Sequence, residues 1–220
     1  MEVPNSNTDK QQKKQKQKVQ KPTQESVSVP LPEIHVGCLH GSSQSAEIFH
    51  SYMENFERIA KQHNIVLHFL DAMYSHPLGG KSWYKKPLDV ADVGKQRYDD
   101  IELDVDSTNK QVDEFIKKYN ITVIIAFSQG TSVADAYLVH CEHPEIKKVV
   151  YFSGYQLVED DRKKVSDVVV LNVTSDTDTI VPSHLAPMDY VDVKETLKHD
   201  KGHKIPGSVL LRSVVSFIVE

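Results

Sequence analysis

From Ile34 onward, short apolar runs alternate with segments whose apolar residues recur at helical spacing. Ile34–Leu39 (IHVGCL), Ile65–Leu70 (IVLHFL), residues 122–127 (TVIIAF), Lys148–Phe152 (KVVYF) and residues 168–173 (VVVLNV) are short and mostly apolar. That pattern predicts five buried strands. Between 46 and 62, apolar side chains fall at 48, 49, 52, 53, 56, 59 and 60, one stripe of a 3.6-residue helix. Further helices are predicted over 109–119, with Val112, Phe115 and Ile116 on one face, and over 129–141, which is rich in small residues. A last helix over 207–219 would turn Val209, Leu210, Val214, Phe217 and Ile218 inward. Strands that are apolar throughout, alternating with helices, imply an α/β fold with a mainly parallel central sheet and helices on both faces. Such sheets bind ligands at the carboxyl ends of their strands. No internal repeat is visible.

Residues 1–33 break this pattern. They hold six lysines, many glutamines, the prolines 4, 22, 30 and 32, and almost no large apolar side chain. Such a stretch cannot bury enough surface to offset its ordering entropy, so it reads as a disordered tail before one domain at 34–220. The run 13–18 (KKQKQK) is most simply a solvated part of that tail, and it leaves a nuclear address open. Across 220 residues, 26 Lys+Arg stand against 31 Asp+Glu, a formal charge of −5, which argues against nucleic acid as the main partner. No apolar run approaches the ~18 residues of a membrane span, and the first 30 residues contain no apolar core of a secretory signal. The two cysteines, Cys38 and Cys141, are too few for a disulfide scaffold and read as reduced thiols of a cytoplasmic protein. Oligomeric state is not legible.

Chemistry first appears after the third predicted strand. Ala126-Phe127-Ser128-Gln129-Gly130 is small-x-Ser-x-small at a strand-to-helix turn, the context of a nucleophile elbow. Backbones pack closely beside such a serine, so the flanking positions must be small. The competing reading is a serine N-cap on an ordinary turn. A nucleophilic serine needs a base, and the base an orienting acid. Asp178, after the strand at 168–173, and His203, before the last helix, follow Ser128 in the order such enzymes use. Asp176 is the rival acid; Asp178 is preferred because x-x-Val-Pro follows it where the chain enters a Pro-initiated helix. His199 is the rival base; His203 is preferred because Gly202 lets the loop turn sharply. His40-Gly41 ends the first strand, and the next N–H, that of Ser42, could join the Gln129 N–H in an oxyanion hole. The serines there could equally cap the following helix.

Other features are weaker. Ser75 to Ser82 (SHPLGGKS) resembles a phosphate-binding loop but lacks its first glycine and its helix. The stretch 73–101 reads as an insertion over the sheet rim, whose Trp83, Tyr84 and Leu88 could wall an acyl pocket. Eleven scattered histidines form no metal-ligand spacing. His140 and His143 read as partners of a helix C-terminus, Cys38 as core, and Asp104 with Asp106 as a solvated turn.

Leu39-His40-Gly41 with Gln44-Ser45, Phe127-Ser128-Gln129-Gly130, Ser153-Gly154-Tyr155, Asp178 to Pro182, and Gly202-His203 with Pro206 together resemble the FSH-type serine hydrolases. That family includes the ovarian-cancer-associated esterase. The resemblance runs from about 34 to 220. It implies an α/β-hydrolase with Ser128 as nucleophile, Asp178 as acid and His203 as base, acting on carboxylic esters. The first reading is therefore an esterase or thioesterase, and its triad mechanism needs no metal or cofactor. Ala126 in the elbow, Ser42-Ser43 and the insertion around Trp83 depart from the pattern, so acyl-chain preference is not carried over. Two other readings stay open: a peptidase or transacylase on the same triad, and an inactive binding module on the same fold.

Overall fold

The computed structural model describes residue 1 and residues 32–86, 90–160, 162–187 and 189–220; most of the tail read as disordered, and Leu88, lie outside them. Among the described residues the order is β1 (Ile34–Leu39), α1 (Ala46–Ala60), β2 (Ile65–Leu70), β3 (Tyr74–Ser75), β4 (Lys81–Ser82), α2 (Val105–Tyr119), β5 (Val123–Phe127), α3 (Gln129–His140), β6 (Lys148–Phe152), β7 (Val165–Ser175), β8 (Val191–His199) and α4 (Ser208–Val219). Six strands form one sheet in the order β2-β1-β5-β6-β7-β8, and every neighbouring pair is parallel. β3 and β4 make a separate two-residue hairpin within the expected insertion.

Alternate residues of each strand feed two cores. Val36, Ile125, Phe152 and Val173 pack with Phe49, Met53 and Phe56 of α1 and Leu211, Val214 and Phe217 of α4. Leu39, Ile124, Tyr151 and Val170 face the other way, towards Val112 and Phe115 of α2 and Val133, Ala134 and Tyr137 of α3. Each face therefore carries two helices, as the apolar strands required.

Several boundaries differ from the sequence reading, and Val209 turns outward instead of joining the core. Asp104 and Asp106 do not form a separate turn: Asp104 caps α2, its carboxylate accepting the Ser107 N–H at 3.0 Å, and Asp106 lies in the first turn. Polar side chains there suit the unpaired N–H groups and positive end of the helix dipole. After Pro182 comes one 3₁₀ turn, Ser183–Leu185, in place of a longer helix. β8 was not anticipated. Among the described residues it pairs with β7 alone, and most of its side chains are exposed or half-buried, so it lacks the continuous apolar run of an interior strand. The carboxyl ends of β1, β5, β7 and β8 open onto the loops containing residues 40–44, 128, 176–178 and 200–203.

Candidate active site

Ser128 joins β5 to α3 with φ 51 and ψ −117. A non-glycine residue rarely holds such a backbone, and surrounding bonds must enforce it. The Ser128 N–H donates to the Phe152 carbonyl at 3.0 Å, and its carbonyl accepts the Thr131 N–H at 2.9 Å and the Thr131 hydroxyl at 2.6 Å. Close packing explains the small neighbours. A Cβ on Gly130 would run into the Leu39 carbonyl oxygen and lie 2.7 Å from that of His40. Ala126 is fully buried, yet its single methyl fits.

Three side chains meet above this turn. The Ser128 hydroxyl donates to His203 Nε2 at 2.9 Å, and His203 Nδ1–H donates to Asp178 Oδ2 at 2.8 Å. The other Asp178 oxygen accepts the N–H groups of Ile180 at 2.9 Å and Val181 at 2.8 Å. Burial opposes the Asp178 charge, but the Val181 N–H and the His203 ring outweigh it and hold the carboxyl below its ordinary range. Gly202 turns with φ 66, and its N–H reaches the hydroxyls of Ser175 and Thr177, each at 3.1 Å. The histidine loop is thereby tied to the turn that holds the acid. The Phe127 ring packs against the His203 imidazole, with ring centroids 4.9 Å apart.

The rival residues lie elsewhere. Asp176 is exposed and bonds Lys198 Nζ at 2.9 Å. His199 ends β8 opposite Ser175, and its Nδ1 accepts the Lys201 N–H at 3.2 Å.

The family model described as serine hydrolase (FSH1) matches residues 31–214. The chain belongs to this serine hydrolase family. No curated protein is similar enough in sequence to match it. Among solved structures, the esterase PE8 aligns with the hydrolase at a TM-score of 0.63 and 16% identity, over 84% of this chain and 91% of its own. A carboxylesterase from Mesorhizobium loti gives 0.62 at 12% identity, over 84% and 88%. The Bacillus cereus carboxylesterase gives 0.61 at 14%, over 84% and 87%. At these identities the likeness is one of fold, that of the α/β-hydrolases.

A cleft of about 840 Å³ opens over Ser128 and His203, with Ser42 and Gln129 also in its lining. Gln129 is the first residue of α3, so its N–H has no acceptor within the helix. Ser42 lies in a turn held by the Gly41 N–H on Gln44 Oε1 at 2.8 Å and by the left-handed Ser43, φ 57. Ser45 caps α1, its hydroxyl accepting the Ile48 N–H at 3.2 Å, so the serine-rich stretch both turns and caps.

Apolar walls come from Tyr52, Leu78, Val93, Tyr155, Ile180 and Ile205. Tyr52, which belongs to the apolar stripe of α1, is 57% exposed and leans over the cleft. Tyr155 was visible only within Ser-Gly-Tyr. Trp83 and Tyr84 are not among the wall residues: each is 1% exposed and packs in the α2–α3 core. Their polar atoms find partners there, the indole N–H on the His40 carbonyl at 2.8 Å and the Tyr84 hydroxyl beside those of Ser132 and Tyr155. Among the described residues no three His, Cys, Asp or Glu side chains gather as a metal site would need. Cys38 is buried in β1, and burial pushes its thiol far up, which keeps it protonated and unreactive.

Proposed function

We propose that the hydrolase cleaves carboxylic esters or thioesters of small acyl substrates through an acyl-enzyme on Ser128, within the domain at 34–220. The observation that carries this reading is the unbroken line of bonds from Asp178 through His203 to Ser128, at 2.8 and 2.9 Å. With Nδ1–H bound to the carboxylate, His203 presents Nε2 as acceptor. It takes the Ser128 proton as Oγ attacks the acyl carbonyl. The negative oxygen then forms where the N–H groups of Ser42 and Gln129 can donate to it, aided by the positive end of α3. His203 returns the proton to the leaving alcohol or thiol. Water, deprotonated by the same nitrogen, attacks the acyl-enzyme and releases the acid. Asp178 stays ionised and fixes the imidazole tautomer. The apolar walls around Tyr155 and Ile180 suit an acyl chain.

Two free cysteines, one of them buried, fit a reducing cytoplasmic compartment. Among the described residues no helix is long and apolar enough to cross a membrane.

Labelling by a fluorophosphonate, with mass mapping of the modified residue, tests the reading. Ser128 should carry the label. Ser128→Ala should lose both label and turnover, by on the order of 10⁶ in kcat, with its melting temperature preserved. Ester turnover within tenfold of wild type in that variant rejects the assignment.

A further inference from the structure

We propose that Trp83 is a positioning residue for the oxyanion hole, and that the hairpin insertion is a clasp joining its two halves. The proposal rests on the acyl-enzyme reading above. The two N–H donors come from different segments, Ser42 from the loop after β1 and Gln129 from the start of α3. The β1–β5 ladder pairs the two segments only as far as Leu39 and Ala126, three residues before each donor, and an oxyanion hole works only when both donors aim at one point.

Residues 80–84 touch both segments in succession. Gly80 lies so close to the Ser43 carbonyl that a Cβ would collide with it. The Lys81 N–H donates to the Gln44 carbonyl at 2.6 Å, extending a bridge from the hairpin to the Ser42 turn. Trp83 then bonds in both directions. Its indole N–H donates to the His40 carbonyl at 2.8 Å, two residues before Ser42. Its backbone N–H donates to Gln129 Oε1 at 3.0 Å. The Ser82 hydroxyl lies 3.3 Å from Gln129 Nε2 and donates to the Tyr84 carbonyl at 2.8 Å.

His40 completes the clasp. It is fully buried, its Nδ1–H donates to the Gly41 carbonyl at 2.7 Å, and its Nε2 accepts the Ala72 N–H at 3.0 Å. The indole packs against this imidazole, with centroids 5.2 Å apart. One residue thus reaches the His-Gly turn through its ring and the elbow helix through its backbone. His40, Ser82, Trp83 and Gln129 are buried, so little water competes for the bonds they make and their geometry is stiff.

Two substitutions break the clasp separately. Trp83→Phe removes the indole donor and keeps a ring against His40. Gln129→Met removes the acceptor of the Trp83 N–H and keeps the length of the side chain and the Gln129 N–H. Each should lower kcat for a soluble short-chain ester by about 10- to 100-fold, below the ~10²–10³ loss of a whole donor, with KM within about threefold. Affinity for a trifluoromethyl ketone, which forms a tetrahedral adduct on the serine, should fall in step with kcat. Val214→Ala, in the opposite core, serves as the control: it should lower the melting temperature and leave kcat unchanged. If Trp83→Phe does not fold, Gln129→Met alone decides. The proposal is overturned if a folded variant keeps kcat within threefold of wild type, or loses only melting temperature as the control does. Wild type that is not labelled at Ser128 rejects the acyl-enzyme reading itself, and this proposal with it.

Discussion

Asp176 and Asp178 stand two positions apart on one turn and meet different surroundings. Asp178 is 7% exposed and bonds both the His203 ring and two backbone N–H groups, whereas Asp176 faces solvent and Lys198. Asp178→Asn should keep the fold and lower kcat by up to about 10⁴, because an amide favours the wrong imidazole tautomer. Asp176→Asn removes only an exposed ion pair and should leave kcat within about threefold; kinetics of the two variants on one ester compare them directly. The x-x-Val-Pro signal behind the choice has a physical content: the N–H groups of Ile180 and Val181 both donate to the Asp178 carboxylate. Ser128, Asp178 and His203 were legible because each sits at a chain position that turn chemistry constrains. Trp83 was not. Its aromatic bulk suggested a pocket wall, but its direction depends on the His40 carbonyl, 43 positions away, and only tertiary packing brings that acceptor into reach.

At the scale of elements, the interior strands were legible from continuous apolar runs. The edge was not, because β8 is half solvated and interleaves Asp192, Lys194, Glu195 and Lys198 with its apolar residues. The start of α2 was also missed, since its first turn is polar where it meets solvent, and only the Asp104 cap marks it. α3 packs closely against the end of β1 at Gly130. Gly130→Ala must push the helix off the Leu39 and His40 carbonyl oxygens. Overpacking of this kind costs about 1–3 kcal/mol, a melting temperature lower by roughly 2–12 °C. Because α3 also presents the Gln129 N–H, kcat should fall with it. Calorimetry and ester kinetics on the same preparation check both expectations.

For the whole molecule, buried ionisable groups give stability two acid-sensitive ranges. Burial holds the His40 imidazole below its ordinary pKa, against the opposing pull of the Gly41 carbonyl. The unfolded chain therefore takes up a proton near pH ~6.5 that the folded chain refuses, and stability begins to fall as pH drops through that value. Asp178 behaves differently. Its carboxyl is held below the ordinary range despite burial, so its contribution is complete above pH ~3.9 and is lost as pH falls through the lower folded value. Melting temperature followed from pH 8 to 2 should decline in both ranges, and Asp178→Asn should remove part of the lower decline only. A single unbroken plateau from pH 7 to 4 would contradict the first assignment. The charges that hid β8 from the pattern of apolar runs have a consequence for the molecule in a crowded solution. Among the described residues, β8 ends the sheet with one row of backbone donors and acceptors unpaired by any strand, a template on which another chain could stack. Lys194 paired to Glu220, Lys198 paired to Asp176, and Glu195 between them set fixed charge along that row. A second copy approaching strand to strand would have to strip water from all of them. Light scattering should accordingly rise with concentration once Lys194 and Glu195 are both replaced by valine, and stay flat in the wild type.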